Sequence, residues 1–218
     1  MNTYSIARRL AHAILSAAAR SARSSGPGRS VMHRSIIAVD IVAAGRASTG
    51  AQIQMRTALY RIVQATCAKV GLPWDASHHE DRGDGILLIP PADVSAELLL
   101  ELFVGYLSAG IRRHNQNADP RARLRLRCVI HAGYLLLDTH GVAGRAVTHA
   151  FRLLDAPQFK ALVERENTEF ALITSDYLHT EIIRDGPGLI DPAHYRPLAI
   201  AYKETEEVAW ALLAIPSR

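Results

Sequence analysis

The chain has 218 residues, 49% of them hydrophobic, and a formal net charge of +4. This length suits one domain with a sizeable core and a small appendage. No apolar run is long enough to cross a bilayer, which excludes a transmembrane segment and makes a globular, cytoplasmic protein the expectation. Residues 1–39 hold six arginines and no acid, so the remainder sits at −2 and the basic balance does not mark a nucleic-acid-binding domain.

Residues 4–23 place Ile6, Leu10, Ile14 and Ala18 at helical spacing, with Arg8, Arg9, His12 and Arg20 elsewhere on the wheel. Ser24-Ser25-Gly26-Pro27-Gly28 reads as a linker, so residues 1–30 form a basic amphipathic arm and residues 31–218 the main domain. The arm suits a dimer-reinforcing role, a weak membrane-surface contact or a partly ordered tail. An export signal is disfavoured, because His12 and Ser16 interrupt its apolar stretch.

A buried strand runs through Ser35-Ile36-Ile37-Ala38-Val39-Asp40-Ile41-Val42 and leads to a polar loop at Gly45–Gly50. A helix follows from about Gln52 to Lys69, ended by Gly71-Leu72-Pro73. Trp74 to Ile89 reads as a hairpin with Asp84 at its charged tip, closed by Pro90-Pro91. Asp40 and Asp84 thus both stand where a core strand meets its loop. Buried carboxylates need something positive beside them. Two hard-oxygen ligands at neighbouring strand ends suit Mg²⁺ carrying a polyphosphate, although Asp-Gly is also an ordinary turn. His78 and His79, adjacent on a strand, point to opposite faces and do not chelate together.

Residues 96–113 read as a second amphipathic helix. From Arg121 to His131 the chain alternates, with Leu124, Leu126, Cys128 and Ile130 on one face and Arg123, Arg125, Arg127 and Val129 on the other. The arginine row reads as a solvated sheet face, in preference to a partner surface. Ala132-Gly133 is expected to bend the chain before a short strand at 134–138. A helix at 145–154, a strand at 170–174, a helix through Arg184 capped by Ser175, and closing strands at 195–203 and 208–215 complete the series. Cys67 and Cys128 are isolated and read as buried thiols without a zinc site. The order is that of an α+β sandwich, a mixed, mostly antiparallel sheet with helices on one side.

From Ser35 to about Lys203 this order and its motifs resemble the class III nucleotidyl cyclase catalytic domain, a ferredoxin-like fold. Asp40-Ile41-Val42 is similar to the family's first metal motif, and Gly83-Asp84-Gly85, 44 residues between the acids, to the second. Val129-Ile130-His131-Ala132-Gly133 resembles its Ile-His-x-Gly strand. Gly144 to Leu153 resembles its Gly-x-x-Val-Asn-x-Ala-x-Arg-Leu helix. The resemblance implies two divalent ions, Mg²⁺ or Mn²⁺, held by Asp40, Ile41 and Asp84. It also implies in-line attack of a ribose 3′-hydroxyl on the α-phosphorus of a nucleoside triphosphate, with loss of pyrophosphate. Arg152 matches the arginine that stabilises transition-state charge and that comes from the opposite subunit, so the implied unit is a head-to-tail homodimer.

The departures fall in the binding positions. Val42-Ala43-Ala44-Gly45-Arg46 occupies the phosphate loop, with Ala43-Ala44 in place of Gly-Phe and Arg46 supplying charge. Thr148 replaces the Asn that orients substrate, and Lys203 stands near the place of the triphosphate-binding lysine. Glu80 and Gly141 fall at the base-recognition positions without completing either purine code, so the base is unassigned and a pyrimidine nucleotide is an option. The implied function is a cyclase. The alternative is a catalytically lapsed, nucleotide-binding or protein-binding regulator of the same fold. A diguanylate cyclase is disfavoured because Arg82-Gly83-Asp84-Gly85-Ile86 lacks the required hairpin motif.

Overall fold

The computed structural model describes residues 31–213, so the proposed N-terminal arm lies outside the described residues. Its frame is one sheet in the order β2-β3-β1-β4-β6-β8-β7, with the short β5 paired to β4 beside this path. The strands are β1 Val31–Ile41, β2 His78–Asp81, β3 Gly85–Ile89, β4 Leu126–Asp138, β5 Gly141–Ala143, β6 Phe170–Thr174, β7 Tyr195–Tyr202 and β8 Thr205–Leu213. Every pairing is antiparallel except β4 with β6.

Helices α1 (Thr49–Val70) and α2 (Val104–Asn117) form the expected layer on one face, over Ile37, Val39, Ile41, Leu126 and Cys128. Two further helices, α3 (Arg145–Asp155) and α4 (Pro157–Glu166), cover Ile36, Ala38, Leu87, Ile89 and Val129 on the other. Strands covered on both faces explain why β1 and β3 read as unbroken apolar runs, since odd and even positions alike are buried. Ser48 caps α1 through a bond from the Ala51 amide (3.4 Å), and Gly71, left-handed at φ 74°, ends it.

Several expectations are corrected. The arginine row is only in part a solvated face: Arg123 is exposed, whereas Arg125 and Arg127 are half-buried and engaged within the fold. Arg125 bonds Glu164 (3.1 Å) and the carbonyls of Val163 and Thr168, while Arg127 is bound to Asp40. Nor does Ala132-Gly133 bend the chain. Strand β4 runs unbroken and pairs with β1 from Val31↔Leu136 to Ile41↔Leu126. Gly133 serves close packing instead, since a Cβ there would lie 2.7 Å from the Cβ of Ala146 on α3. Trp74–Ala76 is a 3-10 turn rather than strand. The helix expected after Ser175 is present as α5 (Asp176–Leu178) running directly into a π-helical turn, His179–Ile183. Helix α4 has no counterpart in the sequence reading; it starts on Pro157, whose fixed φ and missing N–H suit a first helical turn.

Candidate active site

The central step is a single backbone bond. The Ile41 amide donates to the Asp84 carbonyl at 2.9 Å, and Asp40 stands opposite Gly85 in the β1–β3 register. Two acids 44 residues apart are thereby carried to adjoining strand ends. Gly85 permits this approach, because a Cβ there would lie 2.5 Å from the Val39 carbonyl oxygen. The tip itself is braced from α1, where the Arg56 guanidinium donates to the Gly83 carbonyl (2.6 Å) and pairs with Asp81.

Asp40 is largely buried and bound in a two-pronged contact by Arg127, Nε to Oδ1 at 2.9 Å and Nη2 to Oδ2 at 2.5 Å. Burial nevertheless pushes its carboxyl up to about 6. Arg127 opposes that rise, while the neighbouring charges of Asp84 and Asp155 add to it. Asp84 is exposed. The expected positive partner therefore exists for Asp40, and it is an arginine. Among the described residues no group of three His, Cys, Asp or Glu side chains converges to hold a metal, so any ion here must rest on the two aspartates and backbone oxygens. The donor chemistry allows it, because a carboxylate has about four lone-pair sites and Arg127 uses two.

The loop after β1, expected to bind phosphate, has an unusual backbone. Ala43 adopts φ 58°, ψ 25°, a left-handed conformation that glycine takes without cost, followed by a 3-10 turn over Ala44–Arg46. Alanine at this position thus preserves the glycine-like bend. Val42 is anchored by its amide to the Arg125 carbonyl (2.8 Å), and Gly45 and Arg46 are exposed just ahead of α1.

Thr148 and Arg152 lie one turn apart on α3 and line a cleft of about 1000 Å³ with His131, His149 and Glu204 to Glu207. A smaller cleft of about 300 Å³ joins the same pair to Arg82, Asp155 and Lys203. The structure therefore brings Thr148, Arg152 and Lys203 together. Lys203 sits at the β7–β8 turn with φ 54°. Arg152 pairs with Glu204 on that turn, and the Thr148 hydroxyl donates to the Gly144 carbonyl at 3.3 Å. Arg82, two residues before Asp84, lies over the Phe151 ring at 5.0 Å, which ties the acidic hairpin to α3.

Glu80 and Gly141 meet as well. A Cβ on Gly141, whose φ is 117°, would lie 2.8 Å from Glu80 Oε1. The Glu80 carboxylate is already engaged by His78 (2.8 Å), Arg82 (2.9 Å) and the Val142 amide (3.2 Å). Burial raises its pKa, but His78, Arg82 and the amide together hold it below the ordinary value. His79 lies on the other face of β2, against Trp74.

Sequence reasoning missed Arg127 and Arg56 as neighbours of the acids, Asp155 as a third carboxylate, and Glu204 on Arg152. It also missed Ser175, expected to cap a helix, whose hydroxyl bonds buried His131 Nδ1 at 2.7 Å instead. Burial first, then the charges of His149 and His33, pushes that imidazole down to about 4. The alternating arginines were visible. Their partners, 87 residues away for Arg127, were not.

No family model matches the sequence, and no curated protein matches it. Solved structures do match it. An adenylate/guanylate cyclase/hydrolase from Silicibacter pomeroyi superposes with a TM-score of 0.60 at 20% identity, over 85% of this chain and 99% of its own. The guanylyl cyclase Cya2 gives 0.59 at 15%, over 87% and 96%. The guanylate cyclase domain of RhGC from Catenaria anguillulae, in complex with GTP, gives 0.54 at 16%, over 84% and 97%. The chain therefore has the catalytic-domain fold of the nucleotidyl cyclases. That is the class III fold its motifs resemble.

Proposed function

We propose that this chain converts a nucleoside triphosphate to a 3′,5′-cyclic nucleotide and pyrophosphate, at sites shared between the two copies of a head-to-tail homodimer. The observation that carries the reading is the Ile41 amide to Asp84 carbonyl bond, which sets both acids at adjoining strand ends beside the left-handed loop at Ala43. Asp40, Asp84 and the Ile41 backbone would hold Mg²⁺ or Mn²⁺, which supplies Lewis acidity and neutralises the triphosphate. Arg46 and Lys203 meet phosphate oxygens. Arg152, swinging away from Glu204, stabilises the charge that grows on the reacting phosphoryl group. Thr148 turns its hydroxyl from the Gly144 carbonyl to the ribose. Glu80 and Gly141 frame the base, whose identity is open between purine and pyrimidine. A cytoplasmic setting, rich in nucleoside triphosphates and Mg²⁺, goes with this reading.

The test is incubation of the purified protein with each of ATP, GTP, CTP and UTP, with Mn²⁺ or Mg²⁺, and detection of cyclic products. Asp84→Asn and Arg152→Ala should each lower turnover by about 100-fold or more. A second reading is a regulator that binds nucleotide or protein without turnover. It is favoured by two contacts, Arg127 on Asp40 and Glu204 on Arg152. Tight nucleotide binding with no product from any of the four would establish that reading over the first.

A further inference from the structure

Of the two positions expected to read the base, Gly141 has no side chain, and the space a side chain would need is taken by the other. A Cβ on Gly141 would lie 2.8 Å from Glu80 Oε1. Glu80 as a carboxylate only accepts hydrogen bonds, so by itself it reads a donor on the base and nothing beside it. A second reading group has to come from a residue next to Glu80.

Arg82 stands there. Its Nη2 donates to Glu80 Oε2 at 2.9 Å, and its side chain is 44% exposed. Glu80 Oε1 is filled by His78 Nε2 (2.8 Å) and the Val142 amide (3.2 Å). A carboxylate has about four lone-pair sites, so with Arg82 in place one acceptor remains, on Oε2. The guanidinium has five N–H donors and Glu80 takes one of them. The Phe151 ring under it, 5.0 Å away, holds the fork in place. Arg82 also lines the cleft of about 300 Å³ that contains Thr148, Arg152 and Lys203, the groups assigned to ribose and phosphate. A donor and an acceptor therefore stand side by side where the base would enter. The Glu80 charge turns a phosphate away from Arg82, which leaves Arg152 and Lys203 for that task.

We infer that Glu80 and Arg82 together read a lactam edge, the adjoining C=O and N–H that guanine and uracil share, so that the site selects GTP and UTP over ATP and CTP. This rests on the nucleotide site proposed above and gives Arg82 a role in specificity. The free lone pair of Glu80 accepts from the ring N–H, and Arg82 donates to the carbonyl oxygen beside it. Adenine and cytosine present the reverse, an amino group in place of the carbonyl and a ring lone pair in place of the N–H. Either would set donor against guanidinium and lone pair against carboxylate, and leave both protein groups unpaired. Ring size does not enter, so the choice cuts across purines and pyrimidines.

The probe is the set of four 3′-deoxynucleoside triphosphates, which lack the attacking hydroxyl and so cannot cyclise. Each is titrated with Mg²⁺ into the full chain by isothermal calorimetry. The guanosine and uridine analogues are expected to bind about tenfold or more tighter than the other two. Arg82→Lys keeps the charge and loses the fork, and Arg82→Gln loses both. Each variant should weaken the guanosine and uridine analogues about tenfold and leave the other two within about twofold. A thermal melt verifies that both variants fold. Equal affinity for all four, or a preference for the adenosine or cytidine analogue, overturns the inference while the nucleotide site stands. So does an equal loss for all four in Arg82→Gln, which would put Arg82 on phosphate. Binding of none of the four removes the nucleotide site itself, and the inference with it.

Discussion

Two single residues impose opposite pH dependences on stability. Asp40 has a folded pKa of about 6 against an ordinary 3.8, so the folded chain holds this proton more tightly and loses stability as pH rises from about 4 to about 6. His131 has a folded pKa of about 4 against 6.5, so its contribution is lost as pH falls through that window. Each shift corresponds to about 3 kcal/mol at 1.36 kcal/mol per pK unit. These two contributions therefore largely offset each other between pH 4.5 and 6.5. Urea denaturation in metal-free buffer should show Asp40→Asn losing stability on acidification relative to wild type and His131→Gln gaining it. Parallel curves for the two variants would refute the assignment. Glu80, held below its ordinary value, adds a loss only in stronger acid, below about 4.5.

At the scale of elements, the loop after β1 and the β2–β3 hairpin decide whether a site exists. Ala43 occupies left-handed backbone, so Ala43→Gly should raise the unfolding free energy by about 1 kcal/mol, the cost a side chain meets there. An unchanged or lower stability would mean that the loop adopts another conformation. Gly85→Ala should cost about 1–3 kcal/mol, because its Cβ would press on the Val39 carbonyl. The same variant should weaken Mn²⁺ binding measured by titration calorimetry, since it lifts Asp84 away from β1. Chemical denaturation separates the two effects: destabilisation without loss of Mn²⁺ affinity would show that the hairpin does not place the second acid.

For the whole molecule, the proposed function places each site between two chains. Neither Asp84→Asn nor Arg152→Ala then turns over alone, but a mixture of the two variants forms heterodimers with one intact site. In a statistical mixture half of the dimers are mixed and one site in two is intact, so about a quarter of wild-type activity should return. Failure to complement, with each variant folded and dimeric by light scattering, would place all the catalytic groups within one chain. The in-chain closeness of Arg82 to Phe151 and of Asp155 to Asp40 makes this a sharp test, because it already links the acidic hairpin to α3 in a single copy.

The sequence alone determined which segments are buried and in what order. Continuous apolar runs marked β1 and β3, helical spacing marked α1, α2 and α3, and four short motifs in order pointed to the cyclase fold. Local rules reach that far because periodicity and turn residues act over a few positions. They misjudged β4, where a glycine that serves packing against α3 looks identical to one that serves a bend, and they passed over α4. What only the tertiary structure decided is which charge meets which. Arg127 on Asp40, Arg56 on the hairpin tip and Glu204 on Arg152 each join residues far apart in the chain. An ion pair depends on distance in space, and strand register sets that distance only once the sheet has formed.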